Sequence, residues 1–464
     1  MFFQHLDQFS ENSAFIEVKP NESSGVEFNA YTYRQLAEDV HVRCDVLNAV
    51  LPQSEATERY LVALKMHACV ASVVDYLALL SNSIVVILID PAISDDKLDS
   101  VIQQYAPNAI VDEGHITIRH TATQRIDSRV ALMLPTSGST GAAKHVVLSY
   151  DNLHSNADAI CQYLPILPSD RAINTLPLFY SYGLSVLNTH LLRGGCLVFS
   201  PYSVVNREFW SIMRELPVTS FAGVPHTYEM LHKLRFERQE LPSLRYFTQA
   251  GGRLKDTLVL AFAHYAEQHE KQFFVMYGQT EATARMAFLP PHKLIQKANS
   301  IGQAIPNGEF SIVDNELCYR GPNVMLGYSE SVSDLAEFIP IEWLHTGDFA
   351  RVDAEGDYYI LGRKARFIKL NGVRMDLDAI QDTLAAQGYT ALCSGNDSQL
   401  VVALESVDVD EQAAVFERVK RYLHQTMHVH PSLITLLNVE RLPLTANGKP
   451  DYQAIMRLAS LSDE

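Results

Sequence analysis

Short apolar runs alternate with longer amphipathic segments along most of the chain. TERYLVALKM (57–66) and SNSIVVILID (81–90) read as buried strands, and HACVASVVDYLALL (67–80) between them reads as a helix. The rhythm recurs in GCLVFS, the segment Arg207 to Arg214, and VTSFAGV. Near-continuous apolar strands separated by helices predict an α/β fold with mixed, mostly parallel sheets covered on both faces by helices. From about residue 300 the pattern changes. SIGQAIPNGEFSIVDNELCYRGPNVMLGY has frequent turn residues and short alternating runs, which predicts a β-rich lobe over about 300–361. Past Leu361-Gly362-Arg363, QLVVALESV reads as a strand and DEQAAVFERVKRYLHQTMH as an amphipathic helix. The expected organisation is a large body over 1–361 and a small, mobile α+β domain over 362–464.

The length of 464 residues, 47% hydrophobic, suits two or more folded domains. Acids outnumber bases 54 to 37, for a net charge of −17, which disfavours nucleic acid and anionic membranes as partners. Six cysteines lie far apart with no CxxC pair, the usage of reduced thiols in a cytosolic protein. The N-terminus MFFQHLDQFS lacks the features of a signal peptide, and no apolar run reaches the roughly 18 residues of a membrane span. A cytoplasmic location is expected.

The most informative stretch is LMLPTSGSTGAAKHV. An apolar run leads into Thr136, Ser137, Gly138, Ser139, Thr140 and Gly141, followed by Lys144. Two glycines let backbone N–H groups approach an anion, four hydroxyls add donors, and the lysine adds charge. The spacing is not GxxxxGK[ST], so this is not a Walker loop.

TSGSTGxxK resembles the phosphate loop of the adenylate-forming superfamily: acyl- and aryl-CoA synthetases, nonribosomal-peptide adenylation domains and luciferases. Other motifs follow in that family's order over about residues 30–455. They are Tyr277-Gly278-Gln279-Thr280-Glu281, Thr346-Gly347-Asp348, Gly362-Arg363 with Ile368-Lys369 and Gly372-Val373-Arg374, and Pro443 to Lys449 (PLTANGK). The resemblance implies that ATP activates a small carboxylic acid as an acyl-adenylate, with release of pyrophosphate. A thiol, of CoA or of phosphopantetheine on a carrier protein acting in trans, then displaces AMP. It makes Lys449 the first-step lysine, bridging carboxylate and α-phosphate. Thr280 would bond the α-phosphate, and Glu281 would offer a hard oxygen to Mg²⁺. Tyr277 and Gly278 would border the adenine or the acyl pocket, the backbone of Gly251, Gly252 and Arg253 would line the purine, and Asp348 and Arg363 would meet the ribose and phosphates. Five of the twelve residues from 363 to 374 are basic, a local exception to the acidic whole that could also meet CoA or an acidic carrier.

The segment Pro177 to Gly183 resembles the family's PLFHxxG loop. Phe179, Tyr180, Ser181, Phe221, Ala222, Gly223, Gln279 and Met286 are the expected pocket walls. From Ala172 to Asn206 there is no Asp or Glu, so a buried substrate ammonium would lack a partner. That favours a fatty, short-chain or aromatic acid without an α-amine. The chain departs from the family pattern at Ala143, His145, Tyr180, the hinge position Ala365, and Ala379. The alternatives are an amino-acid-type adenylation enzyme loading a carrier in trans, a luciferase-like oxygenase, and a non-catalytic nucleotide-binding homologue.

Overall fold

The structure is a computed structural model that describes residues 1–21, 25–52, 57–135, 144–370, 373–396, 398–408, 410–445 and 450–462. The chain divides into two compact units. The first comprises Met1–Ser311, Cys318–Leu344 and Asp353–Tyr358; the second comprises Ile312–Leu317, His345–Val352 and Tyr359–Glu464.

The first unit holds two large sheets. In the nine-stranded sheet, Ser13–Asn21, Cys196–Phe199, Arg171–Ile173, Ser220–Gly223, Tyr246–Gln249 and Gln272–Tyr277 run parallel as successive neighbours. Antiparallel strands close both edges: Gly25–Thr32 on one side, Ala287–Leu289 and Gln303–Ala304 on the other. In the seven-stranded sheet, Val130–Pro135, Val85–Ile89, Leu61–Lys65 and Ala109–Asp112 form the parallel centre. The strands are short and buried on both faces, which is why they read as unbroken apolar runs rather than as alternation. Helix Val70–Ser81 is buried from Ser72 through Leu80, and its sequence is correspondingly apolar all round. Helices Tyr33–Val50 and Tyr150–Tyr163 begin at capping boxes, Thr32 with Gln35 and Ser149 with Asn152.

The expected rhythm of strands and helices is therefore observed. The region 300–361 carries strands and no α-helix, but it is not wholly a lobe of its own. Gln303–Ala304 extends the nine-stranded sheet, and Gly327–Ser329 is an edge of the seven-stranded one. Sequence patterning gives the type of a short strand and not the sheet it joins.

In the second unit, Ala391–Gly395, Leu400–Glu405 and Ile434–Val439 form a three-stranded sheet. Helices Leu377–Ala386 and Gln412–Met427 pack with it around Ile380, Leu384, Val402, Val419 and Leu423, all at 0% exposure. Helix Tyr452–Ser462 covers Val401 and Ala403 through Ile455 and Ala459. Among the described residues no helix is long and apolar enough to cross a membrane.

Candidate active site

The loop Thr136–Gly141 lies outside the described residues, but both of its flanks are fixed in the first unit. Val130–Pro135 pairs with His145–Ser149, which pairs in turn with Gly327–Ser329. That register sets Val146 against Tyr328, and Lys144 Nζ lies 3.8 Å from the centre of the Tyr328 ring. The Tyr328 hydroxyl donates to Glu281 Oε1 at 2.8 Å. Burial, then the charge of Glu281, raises the pKa of Tyr328, so the phenol stays a proton donor at neutral pH. Sequence reasoning missed Tyr328; it lies 47 residues from Glu281, and only the strand pairing joins them.

Thr280 and Glu281 stand on one turn of 3-10 helix, Thr280–Ala282, just past strand Gln272–Tyr277. The turn has little freedom. A Cβ on Gly278 would lie 1.9 Å from the Ala284 carbonyl oxygen, so no larger residue fits there. Thr283, β-branched, sits at φ +66°, a costly conformation held by its hydroxyl bond to the Asn323 carbonyl at 2.8 Å. Asn323 Nδ2 donates to the carbonyls of Ala282 and Arg285, both at 2.9 Å. Asn323 is 1% exposed and was not foreseen either. Ser181 Oγ lies 3.3 Å from Thr280 Oγ1, which brings the expected pocket loop to the expected phosphate contact. Tyr277 Oη accepts from Gln279 Nε2 at 3.4 Å.

The purine-loop candidates follow strand Tyr246–Gln249. Gln249, 1% exposed, donates to the Gly252 carbonyl at 2.9 Å and so fixes the turn. Gly251 has φ +84°, and a Cβ there would lie 2.9 Å from the Tyr180 hydroxyl. Tyr180, which replaces the family's histidine, thus packs against this loop. Arg253 is mostly exposed and lies 3.8 Å from Asp256.

The expected pocket walls fall on two faces of the sheet. The Phe221 ring stacks on Phe247 at 5.4 Å within the cluster on one face of the sheet, whereas Ala222 belongs to the cluster on the other. Alternation along the strand turns the Phe221 ring away and leaves its backbone beside the cavity that Ala222 lines. Met286 is fully buried and is not among the residues lining that cavity. Phe179 is half-buried. Gly223 is confined, since a Cβ would meet the Tyr228 ring at 2.8 Å. His145 is buried within 3.1 Å of the Tyr105 hydroxyl, which itself donates to the Ser329 carbonyl at 2.7 Å. That departure from the family pattern therefore serves packing.

In the second unit, Asp348 is 2% exposed and its Oδ1 lies 3.2 Å from Arg363 Nε. The Thr346 hydroxyl donates to the Leu317 carbonyl at 2.7 Å and accepts from Asp348 N–H at 3.1 Å, which sets the turn. Glu316 accepts from Gly347 N–H at 3.0 Å and pairs with Lys364 at 3.3 Å. Burial acts against it, yet the Gly347 N–H, Lys364 and His345 together hold the Glu316 carboxyl below its ordinary range. Arg366 is not available to a ligand. It is 8% exposed, bonds Asp378, Gln381 and the Cys393 carbonyl at 2.7–2.9 Å, and stacks on Tyr452 at 3.7 Å. The expectation that the basic segment serves CoA or a carrier therefore fails for Arg366, which organises its own unit. Ala365 sits on the turn Lys364–Arg366, and Lys449 lies outside the described residues.

Mg²⁺ keeps waters and takes phosphate oxygens, so it needs few protein carboxylates. Among the described residues no three His, Cys, Asp or Glu cluster as a metal cage, and a single carboxylate such as Glu281, bonded at Oε1 by Tyr328, fits the lighter demand of a nucleotide-bound Mg²⁺.

The chain is similar to several known proteins. The long-chain-fatty-acid–CoA ligase of Escherichia coli O157:H7 is 27% identical over 331 residues, 64% of this chain and 57% of that protein. The oxalate–CoA ligase of Arabidopsis thaliana is 28% identical over 304 residues, 62% of this chain and 57% of that protein. The chain thus spans little more than half the length of these curated relatives. The O-succinylbenzoate coenzyme A synthetase of Bacillus subtilis, solved in complex with ATP and magnesium ion, superposes with a TM-score of 0.75 at 20% identity. That superposition covers 98% of this chain and 99% of the other, and it shows that the two share a fold. The family model of AMP-binding enzymes matches residues 2–329, so the chain belongs to the AMP-binding enzymes, the adenylate-forming superfamily that its motifs resemble.

Proposed function

We propose that the protein is an ATP-dependent, AMP-forming acid–thiol ligase. A carboxylate oxygen attacks the α-phosphorus of ATP, a carboxyl–phosphate bond forms, and the bond to the β-phosphate breaks with release of pyrophosphate. A thiol then attacks the activated carbonyl carbon, and AMP leaves with the electron pair of the broken bond. Both steps bring anions together, so the protein's task is to position and neutralise.

The observation that carries the reading is the Lys144–Tyr328–Glu281 array beside Thr280 and Ser181, set where the phosphate-loop motif leaves its strand. In this reading Lys144 and the loop Thr136–Gly141 hold the terminal phosphates, and Thr280 bonds the α-phosphate. Glu281 takes the Mg²⁺ that travels with ATP, and Asp348, held by Arg363, accepts the ribose hydroxyls. Lys449 bridges the attacking carboxylate and the α-phosphate. The relatives named as CoA ligases support CoA as the thiol, a phosphopantetheine carrier in trans being the second choice. The acid lacks an α-amine, and the setting is cytoplasmic.

The test is product analysis with ATP, Mg²⁺, an acid panel and CoA. The expected products are AMP, pyrophosphate and an acyl-CoA. Release of ADP and phosphate, or acid-independent AMP, rejects the assignment.

A further inference from the structure

We propose that Glu316 is a positioning residue for recognition of the nucleotide's ribose: it holds the Gly347–Asp348 turn, and Lys364 and His345 hold it in turn. The inference rests on the reading above that Asp348 accepts the ribose hydroxyls.

All of these residues belong to the second unit. Glu316 opens strand Glu316–Arg320 and is 8% exposed, a rare depth for a carboxylate. It stands 31 residues before Gly347, and no motif joins the two. Its Oε1 accepts from Gly347 N–H at 3.0 Å. Its Oε2 lies 3.3 Å from Lys364 Nζ and 3.4 Å from His345 Nδ1. Burial works against the charge, but the Gly347 N–H, Lys364 and His345 outweigh it, so the carboxylate is ionised at neutral pH. An ionised acceptor ties the Gly347 N–H more firmly than a neutral carbonyl would.

The turn needs that tie. Gly347 sits at φ +72°, and a Cβ there would meet nothing within 4 Å. Conformation rather than space therefore demands glycine, and glycine has the widest choice of alternatives. Two bonds narrow that choice: Glu316 on the Gly347 N–H, and the Thr346 hydroxyl on the Asp348 N–H at 3.1 Å. Asp348 itself is 2% exposed, with Oδ1 3.2 Å from Arg363 Nε. Its backbone is thus set through Glu316 and Thr346, and its carboxylate through Arg363. Arg363 and Lys364 are consecutive, so two neighbouring ion pairs, Arg363–Asp348 and Lys364–Glu316, bind one dipeptide to the turn. A carboxylate that takes two ribose hydroxyls must be held to within about 0.5 Å, and Glu316 supplies the part of that hold that does not touch the ligand.

The experiment measures the Kd of the full chain for AMP, 2′-deoxy-AMP and 3′-deoxy-AMP by calorimetry, which needs neither an acid nor turnover. The native chain should prefer AMP to at least one deoxy form by about tenfold or more, the worth of one hydrogen bond to a charged group. Asp348→Ala should abolish that preference. Glu316→Met, which fills the same buried space, should cut the ratio to about threefold or less, while affinity for the deoxy forms changes by less than about threefold. Glu316→Gln, whose amide oxygen can still accept from Gly347, should keep most of the ratio. Glu316→Asp is one methylene shorter and keeps the charge for Lys364; it should lower the ratio by about threefold or more, and it decides the matter if Glu316→Met does not fold. A merely structural role would weaken all three nucleotides alike. That result, or a native ratio in Glu316→Met or Glu316→Asp, overturns the inference and leaves adenylation standing. Equal binding of the three nucleotides by the native chain, or a ratio that survives Asp348→Ala, removes the ribose role of Asp348 and this inference with it. No AMP binding at all refutes adenylation as well.

Discussion

Glu281 is exposed enough to meet a ligand but is held by a single phenol, so the Tyr328 bond decides how well it is aimed. Tyr328→Phe keeps the ring beneath Lys144 and removes only the hydroxyl. A hydrogen bond to a carboxylate is worth about 1.5–3 kcal/mol, less here because Tyr328 is partly exposed. We expect the KM for MgATP to rise about fivefold, near 1 kcal/mol, with little change in folding by circular dichroism. An unchanged KM would make the phenol incidental. At this scale Lys144, Thr280, Glu281 and Asp348 could be named as candidates from the sequence because their motifs fix residue type and spacing together. Tyr328 and Asn323 could not, because each meets the candidate site through contacts that strand pairing and turn geometry create. Which face of the sheet the Phe221 ring takes was not legible, because a four-residue strand shows too little alternation.

Among the elements, the turn Thr280–Ala282 depends on distant support. Asn323→Ala removes one donor each from the Ala282 and Arg285 carbonyls, which keep Ala284 N–H and Asn156 Nδ2, so each lost bond costs about 0.5–1.5 kcal/mol. The expected result is a drop in kcat/KM of tenfold or more with a lowered melting temperature; unaltered kinetics would show that the turn stands without it. A second support joins the segment after Pro291 to the turn before Tyr358. Asp357 bonds Lys293 at 2.7 Å and Lys297 at 2.5 Å, with its side chain fully buried. Burial opposes ionisation, but the two lysines more than offset it and bring the carboxyl below its ordinary 3.8. A depressed folded-state pKa stabilises above the unfolded value and loses that contribution as pH falls through the folded one. Asp357→Asn should therefore cost about 1–2 kcal/mol at pH 7, since Lys297 keeps Asp353 and Glu355. The gap in urea midpoint between the two proteins should narrow below about pH 3.8; a gap that widens on acidification would refute the pairing. Element types were legible because buried strands and amphipathic helices differ in period. The short edge strands at 303–304 and 327–329 were not assignable to sheets, since an edge strand carries no mark of its neighbour.

Over the whole molecule, the net charge of −17 coexists with a few cations that the proposed function assigns to the nucleotide. The second unit retains Arg363 at Asp348 and Lys364 at Glu316, while Arg366 is committed to its core. Family membership and fold were legible because ordered motifs span nearly the whole chain. The acid was not, because the motifs fix the nucleotide chemistry and carry no mark of the acyl group. The central claim is carboxylate adenylation dependent on Lys449. ATP–pyrophosphate exchange, measured with the preferred acid for the native chain and for Lys449→Ala, tests it most directly. The account predicts acid-dependent exchange by the native chain that falls at least a hundredfold in the variant, while the variant still converts a supplied acyl-adenylate to the thioester. Exchange that persists in Lys449→Ala, or that never depends on an acid, would contradict it.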